Sequence, residues 1–182
     1  MSYFSYIPKT TYNGVSVKNV ILKAKIIKDV FDKKMAFYPY VIKQGYRPDM
    51  VANEVYNDPY LDWVVYFSNT IVDPYYEWPL EDNDFVKYIE KKYSKNVYEL
   101  QSDIYHYMYQ GLTNESEEDI ARKNWYMTVE THTMATTEEK AGWMPMSTYD
   151  YEYELNEKKR SIQLLSPIYI QQMKYELAEI FK

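Results

Sequence analysis

Apolar residues recur every three or four positions in five stretches of the chain, which is the spacing of one face of an α-helix. Each stretch follows a residue type or an acidic group that favours a helix N-terminus. We therefore predict helices that begin after Asn19, at Pro48, at Asp58-Pro59, at residues 81–84 and at Ser166-Pro167. The last helix is expected to bury one apolar face, made of Tyr169, Met173, Leu177 and Ile180, with Ile170 and Phe181 beside it.

Other segments contain strand-favouring residues or alternate with a period of two. In residues 149–154, tyrosines alternate with acidic residues, which predicts an extended segment with Tyr149, Tyr151 and Tyr153 on one side. Pro39 has no backbone N–H to donate, so its segment is predicted to be an edge strand. The segments predicted to be extended are residues 1–18, 35–43, 105–109, 125–134, 149–154 and 158–165.

The mixture of helices and short strands predicts an α+β fold in four consecutive segments. Residues 1–35 form an arm and a helix, and residues 36–93 form a strand, two helices and an appended third helix. Residues 94–148 are an irregular, strand-rich connecting region, and residues 149–182 contain the C-terminal strand and helix.

The composition argues against several classes of enzyme. The chain has 182 residues and a formal net charge of −6, with no cysteine and only four glycines. Without cysteine there is no disulfide framework, thiol nucleophile or thiolate metal site. The scattered glycines form no phosphate-binding loop. Because an acidic chain has no general attraction for a phosphate backbone, we expect no nucleic-acid partner.

The polar residues show no catalytic pattern either. His106 and His132 are far apart in sequence, and neither belongs to a metal-ligand motif such as H-E-x-x-H. No serine lies in a G-x-S-x-G motif. The acidic residues at 81–84 are explained by a helix N-terminus. We expect no catalytic site, no cofactor and no metal ion.

The sequence also carries no membrane or export signal that we recognise. No segment approaches the roughly 18 consecutive apolar residues of a membrane-spanning helix. The first residues have neither the basic start nor the apolar core of a signal peptide. We therefore expect no membrane partner and synthesis in a cytoplasm.

Tyrosine is the most unusual component, with 23 residues, and aromatic residues make up 18% of the chain. Tyrosine combines a flat apolar ring with a polar hydroxyl and is enriched in protein interfaces, although it also fills cores. Tyr75, Tyr76 and Trp78 lie in a turn with two prolines, where all three are difficult to bury together. We predict them as interface anchors, so that Trp78→Ala leaves the fold largely intact and weakens binding.

Two further groups of residues allow more than one interpretation. Asp58 and Pro59 are best explained as a helix start, and Trp63 as a core residue. The cationic residues Lys158, Lys159 and Arg160 either face an acidic partner or form a solvated entrance to the following strand.

Two stretches of the chain carry matches to one family. The later one contains the sequence YELNEKKR at residues 153–160, which includes Asn156, followed by apolar residues and a closing helix. The earlier one carries Arg47, Pro48, Asp49, Ala52, Tyr56, Pro59, Trp63, Asn69, Asp73, Pro74, Trp78 and Pro79. Residues 35–93 and 151–181, about half of the chain, thereby resemble the baseplate wedge proteins of contractile-tailed, T-even-like phages, the gene product fifty-three family.

The resemblance implies a small LysM-like unit over roughly residues 36–80, built as strand, helix, helix, strand and used for protein docking. It implies a structural virion protein, without enzymatic activity, that joins wedge core subunits and clamps adjacent wedges around the central hub during tail assembly. The implied partners are the wedge core subunits, a sheath-initiator-type protein, neighbouring wedges and the hub. The implied location is the tail baseplate, after assembly in the host cytoplasm.

Two alternatives belong to other classes of protein. LysM-like modules also occur as peptidoglycan- or chitin-binding modules, which makes cell-wall binding the second hypothesis. A tail-associated lysozyme is the third, although it requires a catalytic acid in an apolar pocket, and no sequence pattern indicates one.

Overall fold

A computed structural model describes residues 3–20, 22, 24, 36–111 and 125–181 of the chain. Its strands are β1 (Lys9–Tyr12), β2 (Val15–Lys18), β3 (Phe37–Val41), β4 (Ile104–Tyr109), β5 (Tyr126–Met127), β6 (Trp143–Ser147) and β7 (Ser161–Leu165).

The helices of the described residues are mostly short. They are α1 (Pro48–Tyr56), α2 (Asp62–Ser68), α3 (Pro74–Glu77), α4 (Asp82–Tyr93), α5 (Val97–Ser102), α6 (Val129–Met134), α7 (Thr148–Lys158) and α8 (Ile170–Ile180). Three 3-10 turns, Tyr3–Ser5, Pro59–Leu61 and Pro167–Tyr169, complete the secondary structure. The predicted α+β class is confirmed.

The contacts divide the chain into two units. Unit 1 consists of Met1–Pro79 together with Lys159–Lys182, and unit 2 consists of Leu80–Lys158. Unit 1 is therefore assembled from two stretches that are distant in sequence, whereas unit 2 is continuous. The four consecutive segments of the sequence analysis stay a prediction about chain organisation.

In unit 1, β3 and β7 form a two-stranded antiparallel sheet, with a register that runs from Phe37 opposite Leu165 to Val41 opposite Ser161. The prediction of an edge strand containing Pro39 is confirmed, since among the described strands each strand of this sheet has a single neighbour. The prediction that the second strand lies within residues 36–80 is wrong. All of these residues are described and they contain only β3, because the strand that pairs with it follows unit 2 in sequence.

Helices α1 and α2 pack with this sheet and contribute the most deeply buried part of the core of unit 1. Val51 and Ala52 of α1 and Val64 and Val65 of α2 are fully buried. Pro48 occupies the first turn of α1, as predicted, and Asp58-Pro59 opens a 3-10 turn that leads directly into α2. Leu164 completes the buried layer from the side of the sheet.

Helix α8 belongs to unit 1 and packs on its core with a face that differs in part from the prediction. Ile170, Leu177 and Phe181 are buried, whereas Ile180 is 63% exposed. At 3.6 residues per turn, Ile170, Leu177 and Phe181 lie on one line along the helix, whereas Ile180 lies about 80° to its side. Ser166-Pro167 opens a 3-10 turn, and the α-helix begins at Ile170.

The predicted extended arm is present in the N-terminal part of unit 1, where β1 and β2 pair as an antiparallel hairpin. Asn13 and Gly14 form its two-residue turn with φ angles of 48° and 77°, the combination that a type I′ turn requires. The helix predicted after Asn19 falls mostly outside the described residues.

In unit 2, a three-stranded antiparallel sheet has the strand order β5-β4-β6. The buried apolar cluster of unit 2 consists of Phe85 and Ile89 of α4 and Leu100 of α5. Asn96 and Glu99 close the start of α5 with a reciprocal capping box. The strand predicted at residues 105–109 is confirmed as β4.

For two segments of unit 2, the prediction of an extended conformation is wrong. Within residues 125–134 only β5 is a strand, and α6 follows it. Residues 149–154 lie in α7 because Ser147 and Asp150 cap its first turn through reciprocal hydrogen bonds of 3.0 and 2.7 Å. Acid–tyrosine alternation also fits a helix here, since the Tyr149 and Tyr153 rings, one turn apart, stack 6.1 Å apart.

Candidate interaction surface

The Asp73–Glu77 turn of unit 1 is held in place by its own side chains. Asp73 caps α3 by accepting a 3.0 Å hydrogen bond from the Tyr75 backbone N–H, and Pro74 occupies the first helical position. Glu77 accepts hydrogen bonds from the backbone N–H groups of Val72, at 2.7 Å, and Asp73, at 3.1 Å. These bonds fix the backbone that carries the two predicted tyrosine anchors.

Tyr75 and Tyr76 point away from unit 1 and are 75% and 60% exposed. Their rings meet edge to face with centroids 5.0 Å apart, which restricts both side chains. Val72, 80% exposed, precedes them on the same turn. A cluster of this kind is typical of an interface because aromatic rings dominate interface energy and this pair is already ordered.

Lys159 lies beside this pair. Its ammonium group donates a 2.7 Å hydrogen bond to the backbone carbonyl of Tyr76, 83 residues earlier in the chain. The sequence analysis treated the tyrosine turn and the cationic group as separate candidates. The structure brings one member of the second to the first, and we call Val72, Tyr75, Tyr76 and Lys159 the tyrosine surface.

Trp78 has a different location from the one predicted for it. Its side chain is only 9% exposed, and its indole N–H donates a 2.9 Å hydrogen bond to the carbonyl of Tyr46. Its ring contacts Tyr66 edge to face, with centroids 6.3 Å apart. Pro79 after it is also buried. Trp78 is therefore a core residue that anchors the C-terminal end of the turn, and its ring is not displayed for a partner.

The other two cations are not part of the tyrosine surface. Arg160 is 9% exposed and donates to the backbone carbonyl of Ile42 and to the side chain of Gln44 within unit 1. Lys158 belongs to unit 2, where its exposed ammonium lies 3.9 Å from Glu154. Arg160 is therefore not available to the predicted cationic patch for an acidic partner surface, because its guanidinium group is buried and hydrogen-bonded within unit 1.

Asn69 connects the end of α2 to the C-terminal strand. Its amide nitrogen donates to the carbonyls of Val65 and Gln163, each at 2.8 Å, and its oxygen accepts from the Gln163 N–H at 2.8 Å. The half-buried Tyr56 makes a second such connection by donating to the carbonyl of Leu165 at 2.9 Å, and its partial burial raises the pKa of its hydroxyl. Both motif residues therefore have structural roles in unit 1.

The remaining motif residues of unit 1 also act in local structure. Arg47 precedes α1 and makes a two-pronged ion pair with Asp49, at 3.0 and 2.6 Å. The side-chain hydrogen bonds raise the pKa of Arg47 and lower that of Asp49. Asp58 accepts a 3.0 Å hydrogen bond from the Tyr60 N–H and caps the turn that begins at Pro59.

Trp63 lies in the core, in the place where the sequence analysis expected it. It is 5% exposed and contacts the rings of Tyr3, Tyr6 and Phe67. Among the described residues, its indole N–H has no hydrogen-bond partner. The contacts with Tyr3 and Tyr6 attach the N-terminal 3-10 turn to the body of unit 1.

Sequence reasoning missed a buried polar cluster in unit 2. Glu152 is 5% exposed, and its carboxylate lies 2.8 Å from the ammonium of Lys92 and 2.7 Å from the hydroxyl of Tyr93. Burial, reinforced by Glu152, raises the pKa of Tyr93. Burial alone would lower the pKa of Lys92, but the hydrogen bond and charge of Glu152 outweigh it, and that pKa is raised.

Asn156 fixes the entrance to unit 2. Its amide accepts a 2.8 Å hydrogen bond from the Leu80 N–H and donates a 3.0 Å hydrogen bond to the Leu80 carbonyl. It is 4% exposed, and both its side-chain oxygen and its side-chain nitrogen are hydrogen-bonded to Leu80. The regular spacing of Thr148, Glu152 and Asn156 every four residues was the available signal, and it was overlooked because all three are polar.

A shallow groove in unit 1 is lined by charged and apolar residues of the loop after β3 and of α1. Lys43 and Glu54 form an ion pair of 2.6 Å between these two sides. In the part of the chain that the structure describes, no group of three or more His, Asp or Glu side chains is placed to hold a metal ion. No helix in that part is long and apolar enough to span a membrane.

Comparison with known proteins identifies the family. Over 54 residues the chain is 43% identical to the Baseplate wedge protein gp53 of Enterobacteria phage T4, a match that spans 28% of this chain and 28% of that relative. A model of the family described as Base plate wedge protein 53 matches residues 2–180. Because that match extends over nearly the whole chain, the chain belongs to the Base plate wedge protein 53 family of structural phage baseplate proteins.

Proposed function

We propose that this chain joins wedge core subunits and clamps adjacent wedges around the central hub of a phage tail baseplate, and that it does so without enzymatic activity. The observation that carries the proposal is the tyrosine surface. Two ordered, exposed tyrosines on a turn fixed by Asp73 and Glu77 form a contact that loses little conformational freedom on binding.

The chemistry of this surface fits a protein partner. The rings supply apolar area, while the tyrosine hydroxyls and the ammonium of Lys159 supply hydrogen-bonding groups at its edge. An apolar centre with a polar rim is the usual composition of a protein interface. The partners we propose are the wedge core subunits, a sheath-initiator-type protein and neighbouring wedges, with the virion tail baseplate as the location and the host cytoplasm as the site of assembly.

We also infer that unit 1 is a LysM-like unit into which unit 2 is inserted. Its support is the order β3, α1, α2, β7, in which the first and last strands pair antiparallel. In this arrangement the scaffold holds the tyrosine turn directly after its second helix, where the chain leaves for unit 2.

The test mixes the full chain with the wedge core subunits of the same genome and follows complex formation by size-exclusion chromatography with light scattering. We expect the double variant Tyr75→Ser, Tyr76→Ser to weaken binding by about tenfold or more, since ordered interface aromatics contribute about 2 kcal/mol or more each at hot spots. Tyr98→Ser is the matched control, because Tyr98 is 78% exposed at a distant sequence position in unit 2.

Circular dichroism on the same variants verifies that both remain folded. Equal affinity of the double variant and the control would remove the tyrosine surface from the proposal. Failure of the unmodified chain to bind any wedge subunit, together with its retention on peptidoglycan, would favour a cell-wall-binding module instead.

A further inference from the structure

The β1–β2 hairpin of unit 1 has two chemically different faces. Residues directly opposite each other in an antiparallel pair share a face, as do residues two apart. One face therefore carries Thr10, Tyr12, Val15 and Val17, and the other carries Lys9, Thr11, Ser16 and Lys18. The hairpin is amphipathic in the way expected of a sheet that covers something apolar.

Nothing among the described residues covers that apolar face. Tyr12 is 69% exposed, Val15 61% and Val17 38%, and every residue of both strands is exposed. A two-stranded hairpin is marginally stable by itself and normally needs a further strand or a packed face. The uncovered face thus indicates that the hairpin packs on another surface.

A face of complementary chemistry exists on the sheet of unit 2. Met108 of β4 lies opposite Met144 of β6 and opposite Tyr126 of β5, and His106 lies opposite Met146. These five residues therefore share one face of the sheet, which we call the methionine face. Tyr126 is 74% exposed and Met144 is 52% exposed. Methionine side chains adapt to irregular partners and are common on binding surfaces.

Helix α6 covers the opposite face of that sheet. The ring of Tyr107 stacks on His132 with centroids 3.5 Å apart and planes at 9°. On the methionine face, Tyr151 of α7 reaches the His106 end, with ring centroids 5.5 Å apart. Among the residues that the structure describes, none covers the end with Tyr126 and Met144.

The segments that carry these two faces also have opposite net charges. The first 28 residues contain five lysines, Lys9, Lys18, Lys23, Lys25 and Lys28, and no acidic residue. Residues 80–158 contain 17 Asp and Glu against 8 Lys and Arg, a formal net charge of −9. An apolar face on a cationic segment and an apolar face on an acidic unit attract each other over a distance and then bury apolar area.

We propose that the apolar face of the hairpin in one copy docks on the methionine face of a second copy. Because the two faces differ, the contact is heterologous and can repeat from copy to copy along a row or around a ring. It uses no residue of the tyrosine surface, so it can fail while the proposed function stands, and the reverse also holds.

The absence of cysteine permits a direct test with single-cysteine variants of the full chain. Val15→Cys protein and Met144→Cys protein, each with a different tag, are mixed and treated with a short bismaleimide. We expect at least about fivefold more mixed dimer than with Thr11→Cys and Met144→Cys, because Thr11 lies on the other face of the hairpin. Equal yields from the two mixtures overturn the proposal.

Two other products also decide against it. A higher yield of Val15→Cys homodimer shows that hairpins pack on each other. Cross-linking within a single chain of a Val15→Cys, Met144→Cys double variant, at concentrations where no dimer forms, shows that the hairpin binds its own copy.

Sedimentation velocity over a concentration series supplies the second measurement. The unmodified chain is expected to exceed its monomer mass of 22.0 kDa as concentration rises. Changing Tyr12, Val15 and Val17 together to Thr, a good strand residue, is expected to weaken association by at least about tenfold. Met144→Glu is expected to do the same from the other side of the contact.

Salt and charge reversal complete the test. Lys9→Glu and raised ionic strength should each weaken association, since both reduce the attraction between the surfaces. The exchange Thr11→Ser, Ser16→Thr on the cationic face is the matched control and should have no effect. A chain that stays at the monomer mass at every concentration overturns the proposal.

Discussion

Asn69 makes two hydrogen bonds to the backbone of Gln163, a residue 94 positions later. Because Asn69 follows the last residue of α2, these bonds hold β7 against the end of that helix. The same amide also donates to the carbonyl of Val65 in its own helix. One side chain thus connects the two stretches of unit 1 that precede and follow unit 2 in the sequence.

We expect Asn69→Ala to destabilise unit 1 by about 1–3 kcal/mol, because three hydrogen bonds are lost and the Gln163 backbone groups lose their partner. Hydrogen exchange followed by mass spectrometry should show faster exchange in peptides from β3 and β7 and unchanged exchange in unit 2. Asn53→Ala on the exposed side of α1 is the control. Equal exchange in both variants would contradict the closing role of Asn69.

The burial of Trp78 leads to a prediction opposite to the one from the sequence. Trp78→Ala removes a ring that is 9% exposed and leaves the Tyr46 carbonyl without its indole donor. We expect a loss of about 3–5 kcal/mol in the free energy of unfolding, the usual range for a buried aromatic residue changed to alanine.

Thermal unfolding followed by circular dichroism measures this loss, and Trp125→Ala is the matched control, since Trp125 is 57% exposed. A Trp78→Ala protein that is as stable as the control would show that the indole contributes little to the core. It would also return Trp78 to the list of interface candidates.

The elements that could be predicted from sequence are those with local signals. Pro48 and Asp58-Pro59 marked the starts of helical segments correctly, because capping and the missing N–H of proline act within one turn. The partner strand of β3 could not be placed, since pairing between Phe37 and Leu165 depends on a separation of more than a hundred residues that no local pattern records. The resemblance to the family implied a second strand within residues 36–80, whereas the strand that pairs with β3 is Ser161–Leu165.

The candidate surface was predicted in part for the same reason. Exposed Tyr75 and Tyr76 followed from a crowded turn, which is a local property. Trp78 was predicted to be exposed because its hydrogen-bond partner, the carbonyl of Tyr46, is 32 residues away in sequence. Lys159 was treated apart from the turn because its contact with the Tyr76 carbonyl spans 83 residues. The buried face of α7 was missed since a stripe of polar residues gives no hydrophobic signal.

Gly142 is expected to be the least replaceable of the glycines in unit 2. Its φ angle is +80°, and a Cβ atom there would lie 2.7 Å from the ring of the buried Tyr109. We expect Gly142→Ala to destabilise unit 2 by about 1–2 kcal/mol from the left-handed backbone and by about 1–3 kcal/mol more from the displaced ring.

Gly111→Ala isolates the contribution of the left-handed backbone, because Gly111 has a φ angle of +90° and nothing within 4 Å of an added Cβ. Hydrogen exchange of peptides from β4 and β6 measures both variants. Equal effects of the two substitutions would show that the Tyr109 ring moves aside without cost.

The cluster of Lys92, Tyr93 and Glu152 predicts how the stability of unit 2 depends on alkaline pH. The pKa of the Tyr93 hydroxyl is raised above its ordinary value near 10, chiefly by burial and then by Glu152, with Tyr105 and Tyr151 adding to the effect. The folded unit therefore holds this proton more tightly than the unfolded chain does. The resulting stability is present in full below pH 10 and is lost as the pH rises through the raised pKa.

Tyr93→Phe removes this titration and keeps the ring. We expect the stability difference between the unmodified chain and Tyr93→Phe to be constant from pH 7 to about pH 9 and to shift in favour of the variant above about pH 10. Tyr98→Phe, at a position that is 78% exposed, is the matched control. Urea unfolding monitored by hydrogen exchange of α4 and α7 peptides gives both curves, and parallel curves for the two variants would mean that Tyr93 keeps an ordinary pKa despite its contact with Glu152.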